Sequence, residues 1–122
     1  MMKHLLWIAL GGALGSVARF AVSKWLVSPA FPWGTFVVNI TGCFLIGILW
    51  AGSMRNPSIP DHIKLFLMTG ICGGFTTFST FSIESITLLR DGKISLFLAY
   101  SLGSLLLGFL ATFFAIRLLY NN

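Results

Sequence analysis

Acid is scarce in this chain: Asp61, Glu84 and Asp91 are the three carboxylate side chains among 122 residues. All charged residues together make up 9%, where soluble domains carry about 25%. A chain this short buries the smaller share of its surface in a core of its own, yet 57% of it is hydrophobic. Together these values exclude a water-soluble globular domain, and the solvent they imply is lipid. Cysteine is scarcer still. Cys43 and Cys72 lie inside apolar runs with no histidine or second cysteine beside them, so they form no ligand set and read as small apolar side chains packed between helices. His4 and His62 stand at run edges, where interfacial solvation accounts for them. There is no phosphate-binding loop, so pumping driven by ATP is unsupported. Nor does any stretch alternate polar and apolar residues over about ten positions, which excludes a membrane barrel. The net charge of +5 does not make nucleic acid a partner. The eight basic residues are scattered singly and most flank apolar runs, a pattern of membrane anchoring.

What the chain does have is four long apolar stretches: residues 5–27, 33–52, 63–89 and 94–120. Each reaches the roughly 20 residues that a bilayer-spanning helix needs. They are separated by Ser28 to Pro32, by Ser53 to Asp61 with Pro57 and Pro60, and by Arg90-Asp91-Gly92-Lys93; Pro and Asp-Gly punctuate helices. The expected fold is therefore an all-α membrane protein with one domain of four transmembrane helices. Four spans put both termini on one side. Lys3, Arg55, Lys64 and Arg117 then fall on that side and Lys24, Arg90 and Lys93 on the other, four against three. Cytoplasmic loops ordinarily show a clear excess of Lys and Arg. A chain with almost none is expected to insert both ways round, as an antiparallel, dual-topology homodimer.

Polar groups at membrane depth are costly and tend to line a polar space or meet a partner. Arg19 lies mid-span in the first stretch and Asn39 in the second. Arg19 has two readings: an anchor hydrogen-bonded to backbone carbonyls, or a positive vestibule that attracts an anion. Glu84, near the end of the third stretch, is either interfacial or a hydrogen-bonding partner for a pore side chain. The most informative run is Gly70-Ile-Cys-Gly-Gly-Phe-Thr-Thr-Phe-Ser-Thr-Phe-Ser82. Glycine pairs and threonines weaken a helix, so the third helix is expected to break at mid-membrane, freeing backbone groups near Gly73 to Thr77. Irregular backbone at that depth is tolerated only where it lines a cavity or binds ions. Phe78 and Phe81 share a helix face three residues apart. Ser101, Ser104, Gly108 and Thr112 form a small, polar stripe on the fourth helix, suited to close packing, to a narrow polar path, or to both. Gly11-xxx-Gly15 and Gly70-xxx-Gly74 are further close-packing motifs.

These residues resemble a known family. Gly11-Gly-Ala-Leu-Gly15 with Arg19-Phe20, Trp33-Gly-Thr-Phe36 with Asn39 and Gly42, and Gly73-Gly-Phe-Thr-Thr-Phe-Ser-Thr-Phe-Ser82 with Glu84 are similar to the Fluc family of bacterial fluoride channels, also called CrcB. The likeness extends over essentially the whole chain, and its third block is the most specific. It implies a multi-pass protein of the bacterial cytoplasmic (inner) membrane, not an enzyme, that exports fluoride passively and relieves its toxicity. It also implies an antiparallel homodimer with two pores and a structural sodium ion at its centre. Carried over by position, Phe78 and Phe81 resemble the pore phenylalanines and Asn39 the pore asparagine. Ser79, Thr80, Ser104 and Thr112 resemble a hydroxyl track, with Tyr100 and Glu84 as supporting groups. Gly73 and Thr76 match positions whose backbone carbonyls hold Na+, and Arg19 matches the entrance arginine. Two rivals stand beside this reading. A small proton-coupled multidrug exporter needs a membrane carboxylate, usually in the first helix, and the first stretch has none. A non-transporting scaffold would use the glycine motifs but leaves the third block unexplained.

Overall fold

The computed structural model describes residues 1–120. Its elements are α1 (Met2–Trp25), α2 (Trp33–Arg55), α3 (Asp61–Lys64), a π-helical segment (Leu65–Cys72), α4 (Gly73–Phe75), α5 (Phe78–Arg90) and α6 (Ile94–Tyr120). Four helical spans are long and apolar enough to cross a membrane: Met2–Trp25, Trp33–Arg55, Asp61–Arg90 and Ile94–Tyr120. In lipid a helix satisfies its own backbone groups, which is why each apolar run closes on itself in this way. The helices differ from the apolar stretches by up to three residues at an end, since helical hydrogen bonding continues into polar flanks such as Ser53 to Arg55.

The ends follow local chemistry. Pro32 opens α2, and the Trp33 N–H reaches back to the Phe31 carbonyl at 2.8 Å. At the same end of the molecule α5 stops in a Schellman motif: Lys93 N–H donates to the Leu88 carbonyl and Gly92 N–H to the Leu89 carbonyl. That motif requires a left-handed residue after the helix, and Gly92 supplies it with φ +75°. The chain thus turns tightly from the third span into the fourth.

Close approach of backbones holds the spans together. A Cβ on Gly15 would lie 2.8 Å from Phe75 N, one on Gly70 2.8 Å from Gly11 Cα, and one on Gly74 2.5 Å from Gly12 O. The glycine motifs of the first and third spans are therefore two halves of one contact, as small residues permit in a membrane. α2 packs on α6 the same way: a Cβ on Gly47 would meet Ala115 Cβ and Thr112 O at 2.8 Å. Thr112 reinforces that seam by donating its hydroxyl to the Cys43 carbonyl at 2.7 Å. Only a narrow core results, with Val38, Ala51, Tyr100 and Ala115 fully buried. Large side chains such as Leu106, Phe109 and Phe113 point outward along α6, as lipid-facing residues do.

The third span is the irregular one. Its first half is α3, the π-helical turns and α4; then Thr76 (φ −86°, ψ 160°) and Thr77 (φ −152°, ψ 121°) are extended before α5 begins. α5 has 13 residues, about 20 Å at 1.5 Å per residue, short of the roughly 30 Å hydrocarbon core. Neither half spans a bilayer alone.

Candidate functional site

Extended backbone in the middle of an apolar span leaves N–H and C=O groups without helical partners, and each must be satisfied or face a polar space. Asn39, projecting from α2, satisfies both groups of one residue. Its Nδ2 donates to the Thr77 carbonyl at 3.0 Å and its Oδ1 accepts from the Thr77 N–H at 2.9 Å. A carboxamide is the side chain that offers donor and acceptor side by side. Thr77 then caps α5, its Oγ1 accepting from the Thr80 N–H at 3.2 Å. On the other side of the interruption Cys72 O receives both the N–H and the hydroxyl of Thr76, at 3.1 and 2.9 Å. The Thr76 methyl packs directly over Gly42, where any Cβ would collide with it.

These bonds divert the donors that a continuous helix would use. The Gly73 carbonyl would pair with Thr77 N–H, which Asn39 takes. The Thr76 carbonyl would pair with Thr80 N–H, which Thr77 Oγ1 takes. Two backbone oxygens are thereby released from helical bonding. Arg19 answers a third: its Nε donates to the Gly74 carbonyl at 3.2 Å. That bond is of the kind the anchor reading of Arg19 describes.

A groove of about 370 Å³ opens beside the interruption. Asn39, Gly73, Thr76, Phe78, Phe81 and Ser104 all line it, so six of the residues singled out from sequence come together. Phe78 and Phe81 stand 5.9 Å apart with their rings inclined at 48°. Phe78 is 76% exposed, and the groove is open along that side. Ser104 Oγ is buried without a hydrogen-bond partner among the described residues.

A model of the family described as CrcB-like protein, Camphor Resistance (CrcB), matches residues 6–116. The chain belongs to the CrcB family. It is 46% identical over 121 residues to a fluoride-specific ion channel FluC of Rhizobium meliloti, covering 97% of each chain. It is 48% identical over 118 residues to a FluC of Phocaeicola vulgatus, covering 94% of this chain and 97% of that one. A FluC of Salinibacter ruber is 46% identical over 110 residues, 88% of this chain and 82% of the relative. The CrcB family is one of channels, not enzymes, and its four apolar spans make this member a multi-pass membrane protein.

Other expected site residues of this CrcB chain stand away from the groove. Thr112 does not line it; its hydroxyl donates to the Cys43 carbonyl across the α2–α6 seam. Ser79 is exposed on the first turn of α5, its Oγ 3.4 Å from Thr77 Oγ1. Thr80, Arg19 and Glu84 line a second hollow of about 350 Å³ on the side of the α1–α2 connection. Tyr100 is fully buried and donates its hydroxyl to Glu84 Oε1 at 2.9 Å. Sequence reasoning missed Gly42, Cys43 and Phe109 as lining residues. For Gly42 the signal was present in the small residue three positions after Asn39, on the same helix face; for Phe109, one outward aromatic among many, there was none.

Proposed function

We propose that the protein is a fluoride-selective channel carrying F− passively out of the bacterial cell across the cytoplasmic membrane, so relieving fluoride toxicity. The observation that carries this reading is the groove at Thr76–Thr77, in a chain nearly half identical over its length to proteins named fluoride-specific channels. Fluoride holds its water strongly, so a path for it must offer hydrogen-bond donors in exchange. Asn39 retains one N–H after serving Thr77, since a carboxamide carries two, and the Ser104 hydroxyl is unengaged among the described residues. A phenyl ring is electropositive at its edge, so Phe78 and Phe81 turned edge-on stabilise a small anion without a counter-charge. Apolar walls around them disfavour chloride. Arg19, anchored at Gly74, keeps its positive charge beside the second hollow, which serves as the entrance.

The half-open groove favours a site completed by a second copy of the chain. With Lys and Arg almost balanced between the two sides, that copy lies antiparallel, giving a dual-topology homodimer whose third span is broken at mid-membrane. Sodium fits the same place. The released carbonyls of Gly73 and Thr76 are hard oxygen donors of the kind such cations prefer, and a Cβ on Gly73 would meet nothing closer than 3.9 Å. Two carbonyls do not complete a coordination shell, so the partner supplies the rest. The Gly73 and Thr76 carbonyls would hold Na+ by their lone pairs, and the bound ion would add positive potential beside the path. Reconstitution into liposomes with a potassium gradient tests the reading: adding valinomycin should release fluoride and retain chloride. Fluoride release without valinomycin would mark proton-coupled movement and not a channel, and no release at all is what either the multidrug exporter or the scaffold gives.

A further inference from the structure

A chain of aromatic rings runs from the α1–α2 connection to the groove. Phe31 lies in that connection and meets Tyr100 edge-on, at 5.4 Å and 84°. Tyr100 in turn meets Phe81 at 5.1 Å and 57°, and Phe81 faces Phe78 inside the groove. Phe31 is itself wedged between Trp33 at 4.5 Å and Phe36 at 5.6 Å. The backbone beneath it is rigid. Pro32 has φ −78° and ψ 68°, and the Trp33 N–H closes back on the Phe31 carbonyl. This is an inverse γ-turn whose central φ is fixed by the proline ring.

Tyr100 needs that lateral contact. Its hydroxyl is held by Glu84, but the oxygen lies on the axis about which the ring rotates, so this bond fixes the tip and leaves the plane free. The plane is set by what touches the ring's sides, namely Phe31, Phe36 and Phe81. Of these, Phe31 comes from outside the helices, and it is held by the turn at Pro32 and between two side chains at the start of α2.

We propose that Phe31 is a positioning residue: it fixes the plane of Tyr100 and, through it, the orientation of Phe81 toward the anion path. The inference rests on the channel reading for its functional consequence, but its structural half can be read without any flux. With 3-fluorophenylalanine at position 81, whose fluorine lies off the ring axis and moves with its plane, the ¹⁹F resonance of Phe31→Ala should shift and broaden relative to the parent, while Phe31→Tyr, which keeps the ring, should restore it. Fluoride efflux of Phe31→Ala should fall roughly five- to tenfold, the order of one aromatic pair contact. Tyr100→Ala should lose a similar amount, and the double variant no more than either single one. Pro32→Ala keeps every ring but loosens the turn; it should reproduce part of the shift and covers the case of a Phe31→Ala protein that does not fold. A Phe81 resonance unmoved in Phe31→Ala and Pro32→Ala, or losses at Phe31 and Tyr100 that multiply, would overturn the proposal. A resonance that moves in a parent that carries no fluoride would uphold the positioning and defeat the channel reading alone.

Discussion

Replacing Asn39 by alanine probes the interruption of the third span at its most dependent point. Both backbone groups of Thr77 rely on this one side chain, at 2.9 and 3.0 Å. A backbone group left unpaired away from water costs about 1–3 kcal/mol. Interhelical hydrogen bonds measured within membranes average nearer 0.6 kcal/mol, because the alternative state finds other partners. The groove beside Thr77 is open, so water reaches the orphaned groups and the cost falls between these limits, at roughly 1.4–2 kcal/mol for the pair. Hydrogen exchange at the Thr77 amide reports the same quantity locally, and protection should fall roughly 10- to 30-fold in Asn39→Ala. Asn39→Asp makes the informative control. A carboxylate still accepts from the Thr77 N–H but has nothing to donate to its carbonyl, so amide protection should largely persist while fluoride flux is lost. Unchanged Thr77 exchange in Asn39→Ala would refute the clamp.

The glycine contact between the first and third spans separates two neighbouring residues. Gly15→Ala forces a Cβ against Phe75 N and Ile71 O and should destabilise by about 1–3 kcal/mol, as overpacking does, whereas Gly12→Ala meets nothing within 4 Å and should leave the thermal melt unchanged or slightly raised. Thr112→Val removes one interhelical hydrogen bond, about 0.6 kcal/mol, and should not alter conduction; Ser104→Ala should lower fluoride flux while leaving the melt in place, and equal flux effects from the two would contradict their assignment. Exchanging sodium for a large organic cation should lower the melting temperature of the parent, with recovery when sodium is restored, and an unaltered melt would contradict the assigned role of the Gly73 and Thr76 carbonyls.

Spans and close contacts were legible in the sequence because they depend on local rules. Apolar runs longer than 20 residues have few alternatives to a helix across lipid, and Asp91-Gly92 carries its own turn chemistry. The two Gly-xxx-Gly motifs were each readable, but not that they meet each other, since a one-dimensional pattern names a surface without naming its partner. The same limit governs the site. Residues sharing one segment, such as Phe78 and Phe81, could be grouped by helical spacing. The bond from Asn39 to Thr77, 38 positions apart, could not. Thr112 shows the converse: spacing placed it on the polar stripe with Ser104, but a backbone carbonyl of α2 claims its hydroxyl. The π-helical turns at Leu65–Cys72 have no marker at all, because Leu, Phe, Met and Ile suit an α-helix equally well.

Electrogenic fluoride conduction is the central claim, and paired recordings of fluoride and chloride efflux from the same liposomes test it most directly. With the inside-positive potential that fluoride efflux builds dissipated by K+ leaving through valinomycin, the parent should release fluoride and keep its chloride; without valinomycin, fluoride should stay inside. Fluoride held in both conditions, chloride released alongside it, or fluoride released equally without the ionophore would contradict the account.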